Sequence, residues 1–420
     1  MRALIALFYF LFSTFLLFSQ EEYIPTDTLP FFHLEADTFA FSSDTSNLIN
    51  FFHKFDSVIE NRNGKINILH LGSSHVQAGV FSHRVRLNLL HAYPNAVAGR
   101  GFIFPYSVVD RSNNPIDYKV SNEGNFSLVR NVYDTFDKPL GVSGIAVYSS
   151  DTFAKIKIEM RYKDSLFSTN RIILIGKADS GIVEPLIVLD SVTYAPIETD
   201  TSTNLFLYEV PTFVDSFSLQ WRLDSGNCFT VNGLLLENDN PGITFHSIGV
   251  NGARVSSYLK CTNFERDLRL INPDLVIMGI GVNDALSDRF DTLQFEREYL
   301  LLIEVIKSVN PDCAFIFITN NDHYKRIARG KYAVNTNGEE VCRVFYRLAA
   351  KTGGAVWDQY AIMGGKRSMY KWQQEKLAKK DKIHFTNKGY NLLGNLFFNA
   401  WVEAHQKVRN LNKNEESNIE

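Results

Sequence analysis

Four short polar clusters in this 420-residue chain hold residue types that could do chemistry together. They are Gly72-Ser73-Ser74-His75, Gly249-Val250-Asn251-Gly252-Ala253, Gly279-Ile280-Gly281-Val282-Asn283-Asp284 and Asp381-Lys382-Ile383-His384-Phe385. Between them they offer a hydroxyl, a glycine N–H able to approach a ligand, a side-chain amide donor, and a carboxylate three residues before an imidazole. Acyl transfer uses these parts: a nucleophile, a base held in one tautomer by a carboxylate, and donors aimed at a developing oxyanion. Each cluster alone is ordinary, because Asp-x-x-His and Gly-x-Asn-Asp are common surface turns. The set gains meaning only if the fold brings the four to one edge.

The surrounding sequence predicts such an edge. Ile66, Ile68, Leu69 and Leu71 form a short apolar run that reads as a buried strand, broken by Gly72 and followed by a helical pattern over Val80 to His91. A strand ending in a glycine turn that feeds a helix puts Ser74 at the carboxyl edge of an α/β sheet, where ligands bind. From Gly242 the same rhythm returns. Strands are expected at Ile243–Ile248, Asp274–Gly281, Cys313–Thr319 and Ala355–Asp358, with helices at 256–271, 292–309, 338–351 and 386–405. Strands alternating with helices imply a parallel sheet covered on both faces. A further helix at 48–59 follows from the spacing of Leu48, Phe51, Phe52, Phe55, Val58 and Ile59.

Between about Gly101 and Asn240 the texture changes. Residues 155–162 and 216–223 alternate strictly, and 171–175, 204–210 and 229–236 add further strands between Asp, Ser, Asn and Gly turns. This predicts an antiparallel β-sandwich with Phe217, Leu219 and Trp221 in its own core. The sandwich then stands as an insertion after the first strand–helix unit.

With those four clusters in that order, the sequence resembles the SGNH (GDSL-type) hydrolase family. Its first block, normally Gly-Asp-Ser, matches Gly72-Ser73-Ser74, its second-block glycine Gly252, its third block Gly281-Val282-Asn283-Asp284, and its fifth Asp381 and His384. The resemblance covers about residues 64–100 and 243–405. It implies an α/β fold, a three-layer flavodoxin-like domain with the β-sandwich inserted. It also implies Ser74 as nucleophile, His384 as general base, Asp381 as its orienter, and Ser74, Gly252 and Asn283 as the oxyanion hole. One residue departs from the pattern: Ser73 stands where the family has Asp, which leaves the nucleophile and base intact but changes the turn that shapes them. The arrangement also resembles exported polysaccharide O-acetylesterases of the family with an inserted β-sandwich, peptidoglycan O-acetylesterases among them.

Composition narrows the rest. The net charge of −3 leaves no overall basic footprint for nucleic acid. Met1-Arg2 followed by an apolar run to Phe18 reads as an export signal over residues 1–19, giving a periplasmic or extracellular protein without stable membrane insertion after cleavage. The expected order is then a leader and helix over 20–63, hydrolase segments at 64–104 and 242–408 flanking the insertion at 105–241, and a polar tail at 409–420. Residues 20–45 read as an irregular leader on the surface. Cys228, Cys261, Cys313 and Cys342 are too few and scattered for a disulfide framework, and no cofactor or metal is implied. His75, Asn321, His323 and Trp372 stand near the clusters and are candidate substrate contacts. The expected partner is an acylated polysaccharide. Two rival readings keep the same residues: a glycan-binding protein that has lost its chemistry, and an acyltransferase that excludes water.

Overall fold

In the computed structural model, residues 29–94, 96, 98–109, 113–161 and 169–417 are described. The expected export signal lies outside them, as does the start of the leader. Five parallel strands form the central sheet. Gly242–Gly249 lies at one edge beside Lys65–Gly72, followed by Leu275–Gly279, Ala314–Ile318 and Ala355–Trp357. The first strand in sequence is therefore flanked by the second and the third. Connections diverge to either side of it, which opens a crevice at its carboxyl end.

Side-chain alternation along Lys65–Gly72 separates two cores. Ile66 and Ile68 join the helices Ser46–Asn61, Val80–Ala92 and Asn387–Ser417 on one face. Leu69 and Leu71 join Phe264–Ile271, Thr292–Val309 and Asn337–Thr352 on the other. The result is the three-layer α/β arrangement expected from the alternation of strands and helices. Among the described residues no helix is long and apolar enough to cross a membrane.

The insertion consists of two antiparallel sheets. One runs in the order Val192–Tyr194, Leu186–Leu189, Ser216–Arg222, Phe153–Met160 and Tyr118–Glu123. The other is built around Thr169–Ala178 and Phe229–Glu237, and Gly101–Ile103 pairs with the latter, so the β-rich block begins before residue 105. Phe217, Leu219 and Trp221 are buried, and Trp221 packs 5.0 Å from Phe229. Its apolar interior is continuous with one face of the central sheet rather than closed on itself. At the joint, Asp117 of the insertion pairs with Arg100 and, at 3.3 Å, with Arg86 of the helix Val80–Ala92. All three side chains are buried, and Arg86 also donates to the Phe245 carbonyl at 2.9 Å.

Three expectations need correction. The described part of the leader is not a loose surface segment: Phe39–Phe41 adds an antiparallel strand to the sheet edge at Ala355–Trp357. Phe32 packs 4.9 Å from Trp372 behind it, so the segment covers an otherwise open edge. The helix expected at 256–271 is two, Val255–Leu259 and Phe264–Ile271, with a bridge between Gly141 and Asn263 at the break. The last helix runs on to Ser417 rather than ending in a tail, and Arg409 holds it to Asp56 at 2.7 Å.

Candidate active site

Ser74 heads the short helix Ser74–Gln77, directly after the strand Lys65–Gly72. The turn is tight: a Cβ on Gly72 would lie 2.2 Å from Val76 Cγ2, so only glycine lets the helix fold back on the strand end. As the first helical residue, Ser74 has a backbone N–H without an acceptor inside the helix. Ser73 is buried, and its carbonyl accepts from the Val76 and Gln77 N–H groups at 3.1 and 2.9 Å. The Gly72 carbonyl accepts from the Tyr258 hydroxyl at 2.7 Å, which steadies the turn from the opposite layer.

The Ser74 hydroxyl lies 2.7 Å from His384 Nε2. Nδ1 of the same ring lies 3.0 Å from Asp381 Oδ2. With Nδ1–H donating to the carboxylate, Nε2 is left as an acceptor for the serine proton. Asp381 Oδ1 meanwhile accepts from the Ile383 and His384 N–H groups at 2.9 and 3.0 Å. Burial alone would raise the Asp381 carboxyl; the hydrogen bonds from the His384 ring and these two amides outweigh it and hold it well below the usual carboxylate range. Asp381 is thus an anion across the neutral pH range, as an imidazole orienter must be.

The amide donors come from the other side of the cleft. Gly252 takes φ +85°, a left-handed conformation that glycine adopts without strain, in the turn after Gly242–Gly249. The preceding Asn251 N–H donates to Gln77 Oε1 at 2.7 Å, which fastens this turn to the helix of Ser74. Asn283 Nδ2 donates to the Ala253 carbonyl at 3.0 Å. One N–H of a carboxamide is spent in that bond; the second is left for a ligand. Asp284, beside it, is buried and accepts from the Val255 N–H at 3.3 Å, and burial pushes its carboxyl up to about 7.

Of the four candidate substrate contacts, Trp372, Asn321 and His323 are buried and His75 is half-buried beside His384. Trp372 is fully buried with its indole N–H on the Met363 carbonyl at 3.0 Å, so it packs and offers no face to a sugar. Asn321 is buried and spends Nδ2 on the Asp322 and Ile383 carbonyls, at 2.8 and 3.0 Å. It therefore pins the backbone beside His384. His323 is buried too: Nδ1 donates to the Asn321 carbonyl at 2.9 Å, and Nε2 accepts from Asn335 Nδ2 at 2.8 Å. His75 places Nδ1 2.7 Å from the Tyr390 hydroxyl, and its ring centroid is 5.2 Å from that of His384. Its Nε2 is buried, and the residue lines a cavity of about 40 Å3 with Asn320, Asn321 and Gln359. Burial, then the neighbouring His384 and His323, hold His75 neutral. Trp372, Asn321 and His323 thus support the site from behind, while half-buried His75 stands beside His384.

Sequence reasoning passed over Tyr390, Gln77 and Tyr258. Gln77 and Tyr390 sit within six residues of Ser74 and His384 in sequence. Residue type alone says nothing of a supporting role for them.

A family model of the GDSL-like lipase/acylhydrolase family matches residues 215–392. That span includes Gly252, Asn283, Asp381 and His384, and begins after Ser74. Of the solved structures, one described as a peptidoglycan O-acetylesterase in action superposes with a TM-score of 0.70 at 21% identity, covering 85% of this chain and 96% of that one. This chain resembles the SGNH hydrolases. The matched neighbour spans nearly its whole length, so the fold shared with it includes the β-rich block as well as the α/β domain. An acetyl xylan esterase, AlAXEase, matches at a TM-score of 0.31 and 19% identity over 38% of this chain and 81% of its own. A family two carbohydrate esterase from Cellvibrio japonicus matches at 0.29 and 7% identity over 69% and 99%. None of the curated proteins compared matches this sequence.

Proposed function

We propose that this SGNH-type protein is an exported serine esterase that removes small acyl groups, acetyl foremost, from a polysaccharide such as peptidoglycan. The observation that carries the reading is the pair of contacts on His384, 2.7 Å to the Ser74 hydroxyl and 3.0 Å to Asp381. A glycan-binding protein has no use for an imidazole poised on a hydroxyl. The likeness to an esterase of peptidoglycan and the apolar N-terminal run support the substrate class and the exported location.

In this reading Ser74 Oγ attacks the acyl carbonyl while His384 Nε2 takes its proton. The Ser74 and Gly252 N–H groups and the Asn283 amide receive the negative charge of the tetrahedral intermediate. Collapse breaks the bond to the sugar oxygen, which takes the proton from His384 and leaves Ser74 acylated. A water then gives its proton to His384, attacks the acyl group and releases the acid, restoring the Ser74 hydroxyl. Asp381 stabilises the imidazolium in both halves.

Release of p-nitrophenol from p-nitrophenyl acetate, and of acetate from acetylated glycans, tests this. Wild type should turn over, and Ser74→Ala should lose turnover while keeping glycan affinity, since the hydroxyl acts on the transition state. Acid release no faster in wild type than in Ser74→Ala, across all esters, would rule the esterase out in favour of a glycan binder.

A further inference from the structure

Three segments meet beside His384. The hairpin Tyr324–Ala328 and Lys331–Val334, the helix Ser368–Gln374 and the loop carrying Asp381 converge on one side chain, Lys382. Its ammonium lies 4.9 Å from the ring centre of Tyr324, 5.2 Å from Tyr370 and 5.6 Å from Tyr332. Three aromatic faces around one ammonium hold it electrostatically without neutralising it. The Lys382 backbone adopts φ +59° and its carbonyl accepts from the Tyr324 N–H at 3.1 Å, so backbone and side chain are both clamped.

These segments are strongly basic in a chain that is not. Over the whole sequence 43 Lys and Arg face 46 Asp and Glu. Residues 324–334 contain four basic side chains and no acid; residues 364–388 contain eight against Glu375 and Asp381. Asp381 is already committed to His384. Lys325 pairs with Asp288, and Lys366 lies 4.0 Å from Glu339. Arg329, Lys331, Lys376, Lys379 and Lys380 are exposed, and among the described residues no ion pair engages them. The Lys379 backbone N–H also donates to the His384 carbonyl at 2.7 Å, which ties the chain carrying this residue to the imidazole loop. Cations gathered at a cleft mouth raise the local concentration of anionic ligands and speed their arrival.

We propose that this basic rim, clamped at Lys382, selects a carboxylate-bearing glycan over a neutral one. The inference rests on the esterase reading only for where the ligand lies, and it narrows the substrate class to acidic polysaccharides. Exposed Tyr370, at the edge of the clamp, adds an aromatic surface against which a sugar ring can lie.

Binding without turnover tests it. The full chain would be titrated calorimetrically with unacetylated oligogalacturonate, a neutral xylo-oligosaccharide of equal length, and single-stranded DNA, at low and moderate salt. Oligogalacturonate should bind roughly tenfold or more tightly than the neutral oligosaccharide at low salt, and moderate salt should erase most of the difference by screening. Charge reversal on the loop (Lys379→Glu with Lys380→Glu) and, separately, on the hairpin (Arg329→Glu with Lys331→Glu) should each weaken oligogalacturonate several-fold without changing the far-ultraviolet spectrum. Equal affinity for the two oligosaccharides, or no loss in either double variant, overturns the proposal. Tighter binding of DNA than of oligogalacturonate overturns it too, in favour of an unselective polyanion surface. Neither oligosaccharide carries an ester, so p-nitrophenyl acetate hydrolysis judges the esterase reading separately.

Discussion

The Tyr390 hydroxyl lies 2.7 Å from His75 Nδ1 and so joins the residue after Ser74 to the helix after His384. The 2.7 Å contact between Ser74 and His384 is thereby paralleled by a second bridge deeper in the molecule. Tyr390 is buried, so this bridge is anchored in the core at its tyrosine end.

Removing it with Tyr390→Phe should lower kcat about tenfold on p-nitrophenyl acetate while KM stays near wild type, because it loosens alignment and not ground-state binding. A purely structural role would lower the melting temperature and leave kcat per folded molecule unchanged. Steady-state kinetics beside a thermal melt separates the two.

Asn283→Ala should reduce kcat by roughly 10²–10³-fold, the usual cost of one oxyanion donor. Its bond to the Ala253 carbonyl fixes the rotamer, so Asn283→Asp, which keeps the shape but puts an acceptor where the donor stood, should do no better. Comparing acetate release from both variants checks this.

Asp117→Ala should destabilise the chain by about 3–5 kcal/mol, the range for stripping one partner from a buried ion pair. Two buried guanidinium groups, on Arg86 and Arg100, would be left facing each other. Urea unfolding of the variant gives the number. Since the insertion shares its apolar interior with the central sheet, both should unfold in one transition.

Asp284 sets a pH dependence. Its carboxyl, pushed up to about 7 by burial, holds its proton more tightly folded than unfolded. As pH rises from about 4 to about 7 the unfolded chain gives up its proton first, so this group lowers stability across that window and no further above it. Asp284→Asn should therefore lose less stability than wild type between about pH 4.5 and 7.5 in paired denaturation curves.

The legible parts of the molecule are those with a period. The apolar run at 66–71 and the alternation at 155–162 and 216–223 emerge as strands close to the expected limits, because a strand buried on one or two faces must write its burial into its sequence. Phe39–Phe41 is too short to carry a period, and the long reach from Tyr390 to His75 is set by tertiary packing. The candidate substrate contacts misled for a related reason. Proximity in sequence to His384 does not distinguish a side chain facing the cleft from one facing the core, and Asn321, His323 and Trp372 all face the core.

The two apolar layers divide the site between them. Phe385 and Tyr390, next to the imidazole, belong to the layer with Ile66 and Ile68; Ala253 and Val255, next to the amide donors, belong to the layer with Leu69 and Leu71. In the esterase reading, proton acceptor and charge acceptors are thus two assemblies bolted to opposite sides of one plate, and their mutual alignment is a tolerance of that plate. A substitution deep in either layer, far from any reacting atom, can slide one assembly against the other and detune the reaction in a protein that still reads as folded.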